Sequence, residues 1–393
     1  MFDEPIRNGY SRRNLARDAA VGGMLLAAGR TAGASEAPAQ GGMLDVHAFG
    51  AKGDGKTDDT KAIQSAIDAA GEKGGAVFVP PGTYASSELQ VRRNVALVGV
   101  PAWDYRHPGG SVLRLINENA KCLLNITGAI GCTIAGLSLY GGRLGKEVHG
   151  ILLDKPDYGK EEDAFRIDQC QVMRFSGAGV NLVRVWCFSI RHSMIAYSAS
   201  DGLRCKGWDG FVLDNWFSGN GGCGFEGTGT ASITITGNRI EWNRAAGILL
   251  AGASHYNVTG NYLDRSGTSA IAVLPHEKSE SKVVSITGNV VYRSGKWAKP
   301  ETHESSHLRL ENAHGVVCSG NALAAGRDDG GRGQWSPSYG IICKELENSI
   351  VKDNVLHDAA LRELVLDLGG HKEGAVVRDN PGRLFQVPRQ ATG

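Results

Sequence analysis

The chain has little net charge, little proline and no long apolar run, and each shortage closes off a class of protein. Its 42 Lys and Arg against 41 Asp and Glu leave a formal charge of +1. With no basic run, no zinc-finger spacing and no phosphate-binding loop, nothing points to nucleic acid as a partner. GDGKTDD, from Gly53, carries Gly and Lys but lacks the spacing of such a loop. The candidate apolar stretch, Ala19 to Ala28, falls far short of the roughly 20 residues needed to span a bilayer, so no integral membrane protein is expected. Only 12 prolines and no Gly-x-y period remove a collagen-like rod. The eight cysteines contain no C-x-x-C and sit mostly in apolar runs, so they read as small buried side chains and not as metal ligands.

What is present in excess is glycine, 55 of 393 residues, about twice the usual share. That many glycines demand tight turns at short intervals. From about residue 110 the intervals become regular: LDNWF, TGNRI, TGNYL, TGNVV, SGNAL and KDNVL place Asn215, Asn238, Asn261, Asn289, Asn321 and Asn354 at spacings of 23, 23, 28, 32 and 33. About 14 residues before each Asn runs a second apolar segment: GLRCK, GFEGT, GILLA, AIAVL, HLRLE and GIICK. A unit of 22 to 24 residues with two or three short strands cannot bury an apolar face alone, whereas stacked units share one core. The expectation is an all-β fold, a right-handed parallel β-helix over residues 43–385. Stacked asparagines at one corner would hydrogen-bond along its axis.

Before the repeat, Ile63, Ala66, Ile67 and Ala70 have helical spacing, with Thr57 or Asp58 to cap the start and Gly71 to stop it. The stretch DVHAFGAKGDGKTDDTKAIQSAI, followed by GGAVFVPPGTY, resembles the N-terminal signature of the pectate-lyase-like superfamily, which includes rhamnogalacturonases and tailspike-type depolymerases. The resemblance implies a capping helix ahead of the β-helix and an activity on carbohydrate. Some members trimerise, so a homotrimer is an expectation that the resemblance alone carries. At the N-terminus, Ser11, Arg12, Arg13, Asn14 and Leu15 resemble a twin-arginine export signal ending near Ala34, with a linker over 35–42 and a tail over 386–393. Removing residues 1–34 takes five arginines and three carboxylates and leaves a net charge of −1. A periplasmic or secreted enzyme is implied.

Strand alternation sorts the repeat into faces. Second and fourth positions, such as Leu203 and Cys205 or Ile248 and Leu250, form the core. Third and fifth positions, Arg204 and Lys206, Glu226 and Thr228, Leu249 and Ala251, Arg309 and Glu311, point outward, with Glu226 beside Arg204 in the next turn. Glycoside cleavage by hydrolysis or intramolecular transfer needs two carboxylates about 5 to 9.5 Å apart. Glu226 is the first candidate, Asp201 its companion, and Asp209 and Asp214 are reserves. A polysaccharide lyase acting on a uronate would instead use Arg204 and Lys206 with His192 or Tyr197; a non-catalytic glycan-binding β-helix is the further alternative. GFEGTGTASITITGNRI resembles a segment of β-helical fructotransferases in which a strand-borne acid precedes the Gly-Asn corner, and this too selects Glu226. Trp208, His255, Trp297, His303, Trp335, Arg309 and Glu311 complete the substrate-binding candidates, the insertions around Trp297 and Trp335 walling the face. Glu241 and Asp264, each three residues after a corner Asn, are expected to stack in adjacent turns as ordinary solvated carboxylates. No cofactor or metal is expected, although His303, Glu304 and His307 are spaced like a metal cluster.

Overall fold

The coordinates form a computed structural model that describes residues 42–326 and 336–386. Residues 1–34, where an export signal is expected, and Trp335 lie outside them. One turn shows the plan: a first-face strand, Phe225–Thr228, a second-face strand, Ala231–Thr236, a corner at Gly237 and Asn238, and a third-face strand, Arg239–Glu241. Each pairs in parallel with its counterpart in the next turn, Ile248–Ala251, Ser254–Thr259 and Tyr262–Ser266. First and second faces merge into a 21-stranded sheet and the third forms a 12-stranded one. The chain is a parallel β-helix, as the repeat spacing requires.

The core stack is the expected one: Leu203, Phe225, Ile248, Ile271, Leu308 and Ile341 are fully buried in line. Gly227 is the small member of the second stack because Tyr256 lies inside the coil. A Cβ at Gly227 would meet the Tyr256 hydroxyl at 2.8 Å, and that hydroxyl is within 2.6 Å of the Thr230 hydroxyl. Two outward positions, Ala251 and Ala272, are nonetheless buried.

The asparagines form the predicted ladder. From Asn215 through Asn354, each rung donates its backbone N–H and a side-chain N–H to the side-chain oxygen of the next, the series ending on Asn380. All but the last are buried, so every polar atom stripped of water finds a partner on the axis.

The helix Thr60–Gly71 buries Ile63, Ala66, Ile67 and Ala70, the four expected residues. Its start differs from expectation in one respect: Asp59 occupies the cap position but turns its carboxylate to the backbone N–H groups of Lys52 and Gly53. Asp58 supplies the acceptor for the Thr60 N–H, at 3.0 Å. All eight cysteines are unpaired; seven are buried, and burial pushes the Cys170 and Cys318 thiols up to about 12. Cys187 alone is half-buried, because it sits on a left-handed bulge of the second face.

Candidate functional site

Outward third positions of the first face run in register as Asn181, Arg204, Glu226, Leu249, Ala272 and Arg309. Sheet pairing thus sets Arg204 directly against Glu226, about 4.8 Å apart along the axis. The Glu226 side chain is only 18% exposed, and burial raises its pKa above the ordinary glutamate value. Asp201 reinforces the rise, while the Thr228 hydroxyl, which donates to the carboxylate, opposes it together with Arg204 and His276. A carboxyl in that balance can carry a proton to a leaving group.

Asp201 reaches the same spot but is not free to react. One of its oxygens accepts the Cys223 N–H at 2.7 Å; the other accepts Nε and Nη2 of Arg204 at 3.0 and 2.8 Å and the Ser200 hydroxyl at 3.2 Å. Its role as companion carboxylate is therefore corrected: it aims Arg204, whose Nε lies 3.9 Å from Glu226. The cause is its place just before Gly202, at a corner, where the side chain folds back onto backbone.

Two residues outside the expected set complete the spot. His149 accepts the Ala178 N–H on Nδ1 at 3.0 Å, and burial, aided by the charge of Arg204, lowers its pKa. The neutral ring must then carry its proton on Nε2, which faces the Asn181 amide at 3.3 Å. Only the amide oxygen can accept that proton, and the Asn181 oxygen has no other partner. Donor balance therefore turns the oxygen toward His149. Asn181 was legible in principle, since GVNLV from Gly179 stands 23 residues before GLRCK.

Three rungs from Glu226, about 14 Å along the stack past Leu249 and the buried Ala272, stands a second cluster. Arg309 Nε donates to Glu311 at 2.9 Å, and His303 Nδ1 lies 2.9 Å from the same oxygen. Burial would raise the Glu311 pKa, but these two partners hold it below the usual value. Trp297, Lys299, Thr302, His303, Glu304 and Arg309 line a cavity of about 530 Å³ there. His307 does not join them: it is buried in the core, its Nδ1 2.9 Å from the Ser294 hydroxyl, and burial pushes it down to about 3.

Lys206 is exposed at the end of the first-face strand, and Trp208 stacks on Tyr158 with centroids 3.9 Å apart. Asp209 and His255 do not reach Glu226. They lie on the second face, two turns apart on its left-handed bulge, and Asp209 accepts the Trp186 indole N–H at 3.0 Å. Asp214 sits at the corner beyond, beside His192. Glu241 and Asp264 stack in adjacent turns as expected, on the third face, but they are buried and not solvated. Glu241 accepts from Trp216 and Arg239 at 3.0 and 2.9 Å, and Asp264 from two nitrogens of Arg293 at 2.8 and 2.6 Å. Burial of those carboxylates is sustained by guanidinium partners.

Residues 43–106 match the family model described as rhamnogalacturonase A/epimerase, pectate lyase-like, and residues 177–295 that of the right handed beta helix region. Over 82 residues the chain is 44% identical to alginate lyase 7 of Azotobacter vinelandii, covering 19% of this chain and 9% of that protein. The chain spans less than a fifth of the length of the curated relatives it matches. Among solved structures, the A-module of a mannuronan C-5 epimerase from the same organism superposes with a TM-score of 0.59 at 19% identity, covering 88% of this chain and all of that one. A DFA-IIIase from Arthrobacter chlorophenolicus A6, solved without its lid, gives a TM-score of 0.59 at 16% identity, over 88% of this chain and 99% of that one. The fold is thereby a right-handed parallel β-helix whose N-terminal segment is pectate-lyase-like.

Proposed function

We propose that the protein is a carbohydrate-active enzyme that cleaves glycosidic bonds on the first face of its β-helix, with Glu226 as the proton donor to the departing oxygen. The observation that carries this reading is a mostly buried carboxyl, its pKa raised by burial, set one rung from a fixed guanidinium on the outward face. Matched relatives that act on alginate and mannuronan support a glycan as substrate. Leu249, half-buried, and Ala272, buried, separate the Arg204 and Arg309 clusters along the stack. Export of the folded enzyme by the twin-arginine route, on the strength of residues 1–34, completes the proposal.

One observation favours elimination over two-carboxylate hydrolysis. Asp201 has its oxygens taken, so no second unengaged carboxylate stands beside Glu226 among the described residues. In an elimination, Arg204 neutralises a uronate carboxylate, the C5 proton leaves to a base, the C4–O bond breaks, and Glu226 protonates the departing oxygen. His276, near enough to act on the ionisation of Glu226, is the base candidate in its neutral form. The test is a screen of pectic, uronic and fructan polymers, read both by the absorbance of an unsaturated uronide and by new reducing ends. A rise in the first signal supports elimination; reducing ends or a cyclic product without it support hydrolysis or transfer. Full activity in folded Glu226→Gln would refute the site.

A further inference from the structure

The corner between second and third faces holds a feature that the first-face site does not use. Just before the asparagine ladder, one residue per turn adopts left-handed backbone: Gln169, His192 and Asp214, then Gly237, Gly260, Gly288 and Gly320, with φ between 47° and 70°. Glycine takes this conformation freely, whereas a residue with a Cβ takes it at a cost. The Gln169, His192 and Asp214 turns are consecutive, and their side chains converge on one cavity of about 430 Å³. Gly237, next in the stack, leaves room for the Asp214 carboxylate, since a Cβ there would lie 2.4 Å from it.

Pro101, Ala102 and Trp103 form the opposite wall. Their loop is braced from behind: Tyr105 stacks on Trp216 with centroids 4.9 Å apart, its hydroxyl lies 2.6 Å from that of Ser218, and Gln171 donates to the backbone of Asp104 and His107. Trp103 is thus held in place while remaining 57% exposed. Across from it, His192 Nδ1 is 2.8 Å from Asp168, and its Nε2 lies 3.9 Å from Asp214.

We propose that this cavity binds one neutral sugar ring, at a site separate from the Arg204–Glu226 face. A flat indole offers the surface on which the C–H face of a pyranose packs. An amide, an imidazole nitrogen and a carboxylate supply the mix of donors and acceptors that hydroxyls require. Two carboxylates, Asp168 and Asp214, flank the one imidazole and repel an anionic sugar. The occupant is therefore a neutral hexose unit, a different class from the uronate that Arg204 would anchor.

The experiment uses the full chain carrying Glu226→Gln, so that nothing is turned over. Methyl β-glucoside, methyl β-galactoside and methyl α-mannoside are titrated by calorimetry and saturation-transfer NMR, beside the methyl glycoside of glucuronic acid. Expected is no glucuronide binding that depends on this cavity, and binding there of at least one neutral glycoside. Trp103→Ala and Asp214→Gly should each weaken it about tenfold or more, the loss of one good contact. Asp214→Gly installs the residue that the next four turns carry at this corner, so the fold tolerates it. The proposal is overturned if no neutral glycoside binds, if either variant binds it unchanged, or if Trp103→Ala weakens the glucuronide as much as it weakens the neutral glycoside. It is also overturned if Trp103→Ala dissociates an oligomer in sedimentation, which would make this wall a contact between copies. None of these readouts depends on Glu226.

Discussion

Replacing Asn261 by Ala should cost about 3–5 kcal/mol, close to the practical limit for one side chain in a domain of ordinary stability. Its side-chain oxygen accepts the Asn238 N–H at 3.0 Å and the Asn238 amide at 2.9 Å; its NH2 donates to the Ile235 carbonyl at 2.9 Å and to the Asn289 oxygen at 3.0 Å. Four bonds at about 1 kcal/mol each set the scale, and the buried Asn238 N–H, left without its acceptor, adds the cost of desolvation. Partial relief comes from Asn238 Nδ2, which keeps the carbonyls of Val212 and Thr236, and from the Asn289 oxygen, which keeps the Asn261 N–H. Asn380, the last rung, makes the same kinds of bond but is half-exposed, so water replaces what Asn380→Ala removes, at about 1 kcal/mol. Urea unfolding of both variants, followed by far-ultraviolet circular dichroism and by tryptophan fluorescence, measures the difference. Coincidence of the two probes guards against the piecemeal unfolding to which stacked repeats are prone. If Asn261→Ala and Asn380→Ala lie within 1 kcal/mol of each other, the ladder is ornament and the apolar stack alone carries the fold.

Gly227→Ala should destabilise by about 1–3 kcal/mol through overpacking, since the new methyl would meet the Tyr256 hydroxyl at 2.8 Å and the Phe225 ring at 2.9 Å; the same unfolding assay in a Tyr256→Phe background should show part of the loss relieved. Thr228→Val removes a donor that favours the ionised form of Glu226, so the alkaline limb of the pH–rate profile should move to higher pH, and a move to lower pH would contradict the assignment of Glu226 as acid. Because burial makes Glu226 harder to ionise in the folded than in the unfolded chain, stability is lost as pH rises from the usual glutamate range through the raised value; Glu226→Gln should remove that loss and unfold at higher urea than the parent at pH 8, but not at pH 4. Arg204→Met leaves the buried Asp201 carboxylate without its cation and should cost about 2 kcal/mol, discounted for the partial exposure of the arginine, with Asp201→Asn restoring much of it.

The coil was readable because its two strongest constraints are periodic. A corner that must satisfy buried polar atoms on every turn writes Asn at each repeat, and a shared core writes apolar residues at alternate positions; both survive insertions, which is why spacings of 23 to 33 still stack. Register followed from the same count, and with it the meeting of Arg204 and Glu226. Non-periodic features left no such trace. Left-handed bulges at Asp209, Ser232 and His255 carry three unlike side chains, so no residue type marks them. The loop that braces Trp103 over the third face acts through contacts with Gln171, Trp216 and Ser218, 64 to 113 residues distant, and nothing local announces it.

At the site, the misreading of Asp201 marks where strand logic stops. Alternation assigns a direction only to residues inside a strand, where the pleat fixes each Cβ; Glu226 and Arg204 are such residues, and both point where counting puts them. Asp201 precedes the strand, at a corner where backbone donors compete for any nearby carboxylate, and the Cys223 N–H from the next turn wins. Its companion role then passes to charge alone: Asp201 pushes the Glu226 pKa upward while holding the arginine that pushes it down. The acidity of Glu226 is thus set by a corner and a strand together, and that coupling requires Asp201→Asn to move the alkaline limb of activity even though Asp201 touches no reacting atom.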